Sequence, residues 1–308
     1  MENAPFNENG AVARRPLPLP SASRVAKMTL FRHLLIALLL IVGAPVVANV
    51  SVSASAPVST NIVPPLQLTP EGCLSAIAAA KKLHKRLEPK TINVLSWNVH
   101  KLEDSAAIAE VMGYRTANNI LFLQEAVENQ ELFNSKPFSS FSIGYKTKRY
   151  SSGVLTLSDY PILVNCTYLH VEPWLRTPKA TNIILLDIDG TLLLAANIHA
   201  INFTLRTKIF ETQLNAIQQI FLAYDGPVVF GGDFNTWSEQ RLRVLTRIAN
   251  NANLSEVEFR EDLRKQVFGS SLDRFFIRGI RIIESKSTVS TTSDHNPIFV
   301  TLELTPSE

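Results

Sequence analysis

Chemistry-bearing side chains recur at one kind of position in this 308-residue sequence, where an apolar run gives out. Asn98 closes TINVLSWNV, Glu125 follows ILFLQ, and His199 follows TLLLAANI. Asp233 and Asn235 come two residues apart after PVVFGG, Asp273 heads DRFF, and Asp294 and His295 stand just before PIFVTLEL. Carboxylates, amides and two histidines are the groups that phosphoester hydrolysis needs. A hard cation such as Mg²⁺ takes oxygen ligands and offsets the charge of the phosphate. A carboxylate holds and deprotonates the attacking water, and a donor or acid serves the leaving oxygen. Zinc hydrolysis instead calls for several histidines or cysteines at close spacing, a pattern this sequence lacks.

Singly, each residue has a plain alternative. A carboxylate at a strand end faces water, Asn98 caps a turn, and His199 is a satisfied structural histidine. Their joint arrival at strand ends points to a site, because ends on one rim of a sheet converge in space however far apart they lie in sequence.

The elements that must position them follow from periodicity. Strands are predicted at 91–99, 120–124, 153–158, 182–188, 191–198, 227–230 and 297–304, all rich in aliphatic and β-branched residues. Asp189-Gly190 joins two of them as a hairpin. Helical spacing appears at 74–88, 105–112, 210–222 and 238–250. In the last, Ser238 is the N-cap and Leu242, Leu245 and Ile248 form the buried stripe. Hairpins mixed with crossover helices predict an α/β fold of two packed mixed β-sheets flanked by helices, a four-layer sandwich.

With 46% hydrophobic residues, 19% charged residues and a net charge of +3, the chain can bury a large core. That charge excludes a polybasic, nucleic-acid-coating protein but leaves room for a local basic cleft. Residues 1–48 combine five basic residues with LLIALLLIVGAPVVA at 34–48. The apolar run is short for a membrane span and fits an export signal, with an uncleaved anchor as the alternative. Either version places the body outside the cytoplasm, because the basic residues precede the run. Residues 49–73 are expected to be a flexible linker and residues 74–308 the catalytic domain. Cys73 and Cys166 either pair in that compartment or remain unpaired thiols. Lys146, Lys148 and Arg149 are expected to be solubilising, and Trp174 to be core.

Seven ordered motifs, SWNVHK, LQEA, SGVLTLSDYPI, NIHAINF, GGDFNTWS, LDRFF and SDHNP, span residues 96–297. Together they resemble the endonuclease/exonuclease/phosphatase superfamily, which includes deoxyribonuclease I, AP endonucleases, inositol polyphosphate phosphatases and bacterial sphingomyelinases. The pattern is most similar to the YafD-like branch. The resemblance implies a deoxyribonuclease I-like fold and a role for each residue. Asn98, Glu125 and Asp294 bind or surround the metal, Mg²⁺ with Mn²⁺ as substitute. Asp233 orients and activates water, with Asn235 beside it on the phosphate or the developing charge. Asp273 buttresses His295, which contacts the phosphate, and His199 lies near the leaving oxygen. Arg176 and Lys179, which also match the YafD-like pattern, grip a polyanion. The two glycines before Asp233 are expected to let the chain approach the phosphate closely.

The departures narrow this. His100 stands where AP endonucleases carry an acidic residue, and Thr236-Trp237 replaces the aromatic-basic pair of inositol phosphatases. The expected activity is a Mg²⁺-dependent phosphodiesterase, a nuclease on DNA or RNA, working as a monomer. The alternatives are a phospholipid phosphodiesterase and an inositol-phosphate phosphatase at the membrane surface.

Overall fold

A computed structural model describes residues 61–65, 69–81, 89–102, 105–173, 175–204 and 206–304. The segment at 34–48, the end of the first predicted helix at 82–88, and Trp174 lie outside the described residues. Among those described, no helix is long and apolar enough to cross a membrane.

In chain order come β1 (Asn61–Ile62), α1 (Pro70–Lys81), β2 (Lys90–Asn98), α2 (Ser105–Tyr114), β3 (Ile120–Val127), α3 (Gln130–Phe133), β4 (Phe138–Lys146) and β5 (Ser151–Ser158). Then follow β6 (Ile162–Val171), β7 (Pro178–Ile188), β8 (Thr191–His199), α4 (Lys208–Ala223), β9 (Val228–Asp233) and α5 (Glu239–Asn251). The last part holds β10 (Ser255–Glu256), β11 (Gln266–Val267), β12 (Ser270–Ser271), β13 (Asp273–Arg278), β14 (Arg281–Ser287) and β15 (Ile298–Leu304).

Two mixed sheets result, as expected. One runs β1-β4-β5-β3-β2-β15-β14, the other β10-β13-β9-β8-β7-β6. Strands β2 and β3 are parallel, with α2 in the crossover, and β8 and β9 are parallel, with α4 in theirs. Alternation along each strand divides the apolar residues into three layers. Ile92, Val94, Ile120 and Phe122 of the first sheet meet Ile184, Leu193, Ala195, Val229 and Phe275 of the second between the sheets. Leu95, Trp97, Leu121 and Leu123 point the other way, onto Ala107 and Val111 of α2. Leu194, Ala196, Val228 and Phe230 likewise cover Phe210, Leu214 and Ile217 of α4 and Leu245 and Ile248 of α5.

Several details differ from the sequence reading. Strands β4, β6, β13 and β14 form where no strand is predicted, because serine, threonine and asparagine interrupt the apolar pattern of β4 and β6, and charged residues interrupt that of β13 and β14. Asn61–Ile62 pairs in parallel with β4 and α1 starts at Pro70, so part of the 49–73 stretch belongs to the folded body. Ser238 does cap α5, accepting from the Arg241 amide. The buried stripe of that helix, however, is Arg241, Leu245, Ile248 and Ala249, with Leu242 only half-buried. Cys73 and Cys166 form a disulfide that fastens α1 to β6, with the Cα atoms 6.1 Å apart.

Candidate active site

The inward face of each central strand begins apolar and turns polar in the same direction. Along β2, Ile92 and Val94 give way to Ser96 and Asn98; along β8, Leu193 and Ala195 give way to Asn197 and His199; along β9, Val229 gives way to Asp233. The register then collects the reactive groups. Asp233 is paired with His199 on one side and Asp273 on the other. Asn98 is paired with Gln124, next to Glu125. Strand β15 enters opposite Ser96, so the SDHNP turn before it arrives at the same rim. Residues scattered over about two hundred positions thus meet at one end of the sandwich.

Asp233 is the centre, and it is buried. Its Oδ1 accepts the Asn235 backbone N–H at 2.9 Å, and its Oδ2 accepts the side-chain amides of Asn98 at 3.1 Å and Asn235 at 3.3 Å. His199 Nε2 lies 3.6 Å from Oδ2 and His295 Nε2 lies 4.0 Å from it. Burial pushes the Asp233 carboxyl up to about 6, with Asp273 adding to the shift and His295 opposing it. Asn235 adopts φ 50° and donates its second amide hydrogen to Ala200 O at 3.0 Å, so its amide orients Asp233.

The second carboxylate, Asp273, binds His295 Nδ1 through Oδ2 at 2.7 Å, while its Oδ1 is buried without a partner. Burial acts against charge on His295, yet Asp273 and Asp233 together hold it up to about 10. The main chain of His295 is fixed as well, its N–H donating to Ser293 Oγ at 3.1 Å and its carbonyl accepting from the Trp97 indole at 2.9 Å.

His199 is the opposite case. Its Nε2 lies 2.8 Å from Lys179 Nζ, an ammonium that only donates, which assigns the ring proton to Nδ1. Burial drives His199 well below the ordinary histidine value, and the positive charges of Lys179 and His295 add to the effect. One imidazole is therefore held charged and the other neutral.

Glu125 is displaced into the groove by a bulge in β3, with φ 53°. Its carboxylate is half-buried, 4.0 Å from both Lys101 and Lys179 and 3.8 Å from His199, and none of these contacts is a hydrogen bond. Lys101 sits in a run of three left-handed residues, His100 to Leu102, a strained geometry of the kind that collects at functional sites. A divalent cation fits this donor set: Glu125 presents carboxylate oxygens without hydrogen-bond partners among the described residues, and Asn98 adds an amide oxygen that already accepts the His100 N–H at 3.1 Å. A second compact group, Asp233, Asp273 and His295, has ligand atoms within 4.8 Å of one another. There the histidine nitrogen nearest Asp273 is already engaged in its hydrogen bond. Asp294 and Arg176 are exposed, and neither lines the groove.

The glycines serve a different purpose from the one expected. A Cβ on Gly231 would stand 2.4 Å from the Phe275 ring, and one on Gly232, at φ 144°, would stand 2.0 Å from Ile198 O. They let β9 close onto its neighbours, and Asp233 reaches the site as a consequence.

Sequence reasoning missed Arg241 and Glu172, both buried. Arg241 Nε donates to Asn235 O at 2.7 Å, Nη1 to Thr204 Oγ1 at 3.3 Å, and Nη2 to Ile201 O, tying the Asp233 loop to the segment after His199. Glu172 accepts from the Asn202 and Phe203 amides at 2.6 and 3.3 Å and from Thr177 Oγ1 at 3.1 Å. The spacing from capping Ser238 to Arg241 is the one signal available for the arginine, and nothing local marks the glutamate.

The profile of the Endonuclease/Exonuclease/phosphatase family matches residues 95–295, which contain every residue of this cluster. A UPF0294 protein of Yersinia pseudotuberculosis is 35% identical over 234 residues, covering 72% of this chain and 90% of that protein. An endonuclease/exonuclease/phosphatase family protein from Leptotrichia buccalis superposes with TM-score 0.53 at 16% identity, covering 68% of this chain and 99% of that one. TDP2 from Caenorhabditis elegans superposes with TM-score 0.51 at 17% identity, covering 73% of this chain and 79% of that one. The two structural likenesses show the deoxyribonuclease I-like sandwich. The profile match makes the chain a member of the endonuclease/exonuclease/phosphatase family and a metal-dependent phosphoric ester hydrolase, and the buried group of Asp233, Asp273 and His295 accords with it.

Proposed function

We propose that the protein is a Mg²⁺-dependent phosphodiesterase that cleaves nucleic acid outside the cytoplasm. One observation carries the reading. Buried Asp233 lies within reach of both imidazoles, and the charged one is braced by a second carboxylate.

The geometry supports the following division of labour. Asp233, oriented by Asn98 and Asn235, holds the attacking water and takes its proton as the new O–P bond forms. His295, held charged by Asp273, donates to a non-bridging phosphate oxygen and stabilises the charge that builds there. His199 and Lys179 stand on the other side of Asp233 from Asp273, where the Lys179 ammonium gives a proton to the leaving oxygen as its bond to phosphorus breaks. Asn98 and Glu125 would hold a divalent cation, which when bound neutralises phosphate charge; exposed Asp294 stands outside this donor set. Nucleic acid is favoured by the groove beside Glu125, a cavity of about 370 Å³ lined by Lys101, Lys179, Tyr145 and Tyr150.

The test is hydrolysis of plasmid DNA, RNA and a chromogenic phosphodiester by the purified chain with Mg²⁺ or Mn²⁺, alongside Asp233→Asn and His295→Ala. The expected result is metal-dependent cleavage that both variants lose. Cleavage retained by Asp233→Asn, or no turnover of any nucleic acid, overturns the reading. A phospholipid substrate is the second reading, favoured by Leu175 and Phe203 exposed at the groove rim. Head-group release from vesicles without nucleic acid cleavage would establish it instead.

A further inference from the structure

Resting on the nuclease reading, we infer that the β4–β5 hairpin is a docking wall for single-stranded nucleic acid, which enters the groove with its bases unstacked. The hairpin carries the sequence Tyr145-Lys-Thr-Lys-Arg-Tyr150. Its tip is closed tightly. Thr147 Oγ1 accepts the backbone N–H groups of Arg149 and Tyr150 at 3.1 and 3.0 Å, and the Thr147 amide donates to Tyr150 O at 2.9 Å. Lys146, Lys148 and Arg149 are exposed on this rigid turn. Among the described residues none of the three pairs with a carboxylate, and the chain has no acidic residue between Glu131 and Asp159. Three cations without counter-charge, on a turn that fixes their spacing, suit a run of phosphates.

The tyrosines distinguish this surface from a merely solubilising one. Tyr145 and Tyr150 are 39% and 38% exposed, and both line the cavity that also contains Glu125, Lys179 and His199. Phe203, 49% exposed, stands among the same lining residues, on the segment that Glu172 anchors. An aromatic ring stacks on any base, but only when that base has left its duplex neighbours. A cavity of about 370 Å³ is of small-ligand size and suits a single unstacked base. Cations on the tip and aromatic faces toward the metal site together describe a path: the backbone tracks the turn while the bases rest on the rings.

The experiment measures binding separately from cleavage. Fluorescence anisotropy with the full chain in EDTA is read against a 12-nucleotide single-stranded DNA, the matching duplex, and anionic phospholipid vesicles. The single strand is expected to bind at least about tenfold more tightly than the duplex. Tyr145→Ala/Tyr150→Ala should weaken single-strand binding about tenfold or more, and duplex binding little. Lys148→Ala/Arg149→Ala should reduce the slope of log affinity against log salt by about 1.4, two phosphate contacts at about 0.7 each. Thermal melts of both double variants confirm that the fold is kept. Equal or tighter duplex binding, single-strand affinity unmoved by the tyrosine changes, or preferential binding to vesicles overturns the inference. Mg²⁺-dependent cleavage run in parallel separates the two ideas. Cleavage of duplex without strand preference refutes the docking wall alone, and single-strand binding without any cleavage refutes the nuclease reading alone.

Discussion

Replacing Arg241 by methionine tests how the loop that carries Asp233 is held. The guanidinium is 1% exposed, stacks 4.1 Å from the Phe210 ring centroid and 5.3 Å from that of Trp237, and satisfies acceptors at Asn235, Thr204 and Ile201. Burial brings it down to about 10, so it is charged at neutral pH. Methionine keeps most of the packing volume but leaves three acceptors without a donor. At roughly 1–3 kcal/mol per stranded group, and with the cost of burying a charge removed, the net loss is about 3–5 kcal/mol. For a domain of this size that lowers Tm by roughly 6–20 °C. The catalytic effect follows the Asn235 contact. Once Asn235 O is released, its amide no longer orients Asp233, and kcat/KM should fall about 100-fold at temperatures where the variant is folded. Arg241→Lys should not rescue either quantity, because an ammonium does not reproduce the planar fork. The assays are circular dichroism melts and hydrolysis of a chromogenic phosphodiester. A variant that melts within about 2 °C of the parent would refute this account of the guanidinium as the fastener.

Asp273→Asn removes the brace from His295 while keeping its shape, so kcat should fall about 100-fold or more with Tm little changed; steady-state kinetics and a melt check both. Lys179→Met should lower kcat/KM about 10- to 100-fold, the effect of losing one charged hydrogen-bond donor, again read by kinetics. Cys73→Ser/Cys166→Ser opens a loop with a sequence separation of 93, which in the chain-entropy picture costs roughly 4–5 kcal/mol; urea denaturation with and without reductant measures it. The Asp262 carboxyl is held below the usual carboxylate range chiefly by its side-chain hydrogen bond from Arg264. A depressed folded value stabilises above the unfolded value, near pH 4, and that contribution is lost as pH falls through the folded value. Asp262→Asn should therefore lower Tm at pH 7 and make it less sensitive to pH below about 4, as melts across pH show.

The site was legible wherever its residues end an apolar alternation, because a strand that turns polar on its inner face must be leaving the core. Asn98, His199 and Asp233 gave that signal directly. Arg241 did not. Helical spacing assigns its neighbour Leu242 to the core, and only tertiary contact reveals that the arginine stem and guanidinium fit between Phe210 and Trp237. Glu172 looks like any loop acid until the amides of Asn202 and Phe203 are folded over it. The Lys179–His199 contact spans twenty residues across two strands, and sequence gives neither their register nor the reach of the lysine. Gly231 and Gly232 were visible as glycines, but their purpose depends on Phe275 and Ile198, neighbours that only the sheet order supplies.

Strands β4 and β6 were missed because of residues that matter to the site. Gln124 Nε2 donates to Ser96 Oγ at 3.2 Å and to Asn197 Oδ1 at 2.8 Å, and Asn197 Nδ2 donates to Thr156 Oγ1 at 3.3 Å. Thr156 Oγ1 donates to Asn182 Oδ1 at 2.9 Å, Asn182 Nδ2 to Asn165 Oδ1 at 2.8 Å, and Ser140 Oγ to Asn165 Oδ1 at 2.9 Å. This chain of buried amides and hydroxyls crosses repeatedly from one sheet to the other, beyond the apolar layer between them. An interior of leucine and valine would hold the sheets together without fixing their offset, since apolar contact has no direction. Hydrogen bonds do have direction, and these buried bonds select one arrangement, although Gln124 Oε1 has no partner among the described residues. Such selection is needed here, because Asn98 and Glu125 come from one sheet while His199, Asp233 and Asp273 come from the other. A slip between sheets would break the 3.1 Å bond from Asn98 to Asp233 before it exposed any apolar surface. The polar residues that obscure the strand pattern in the sequence are therefore the ones that keep the two halves of the site in register.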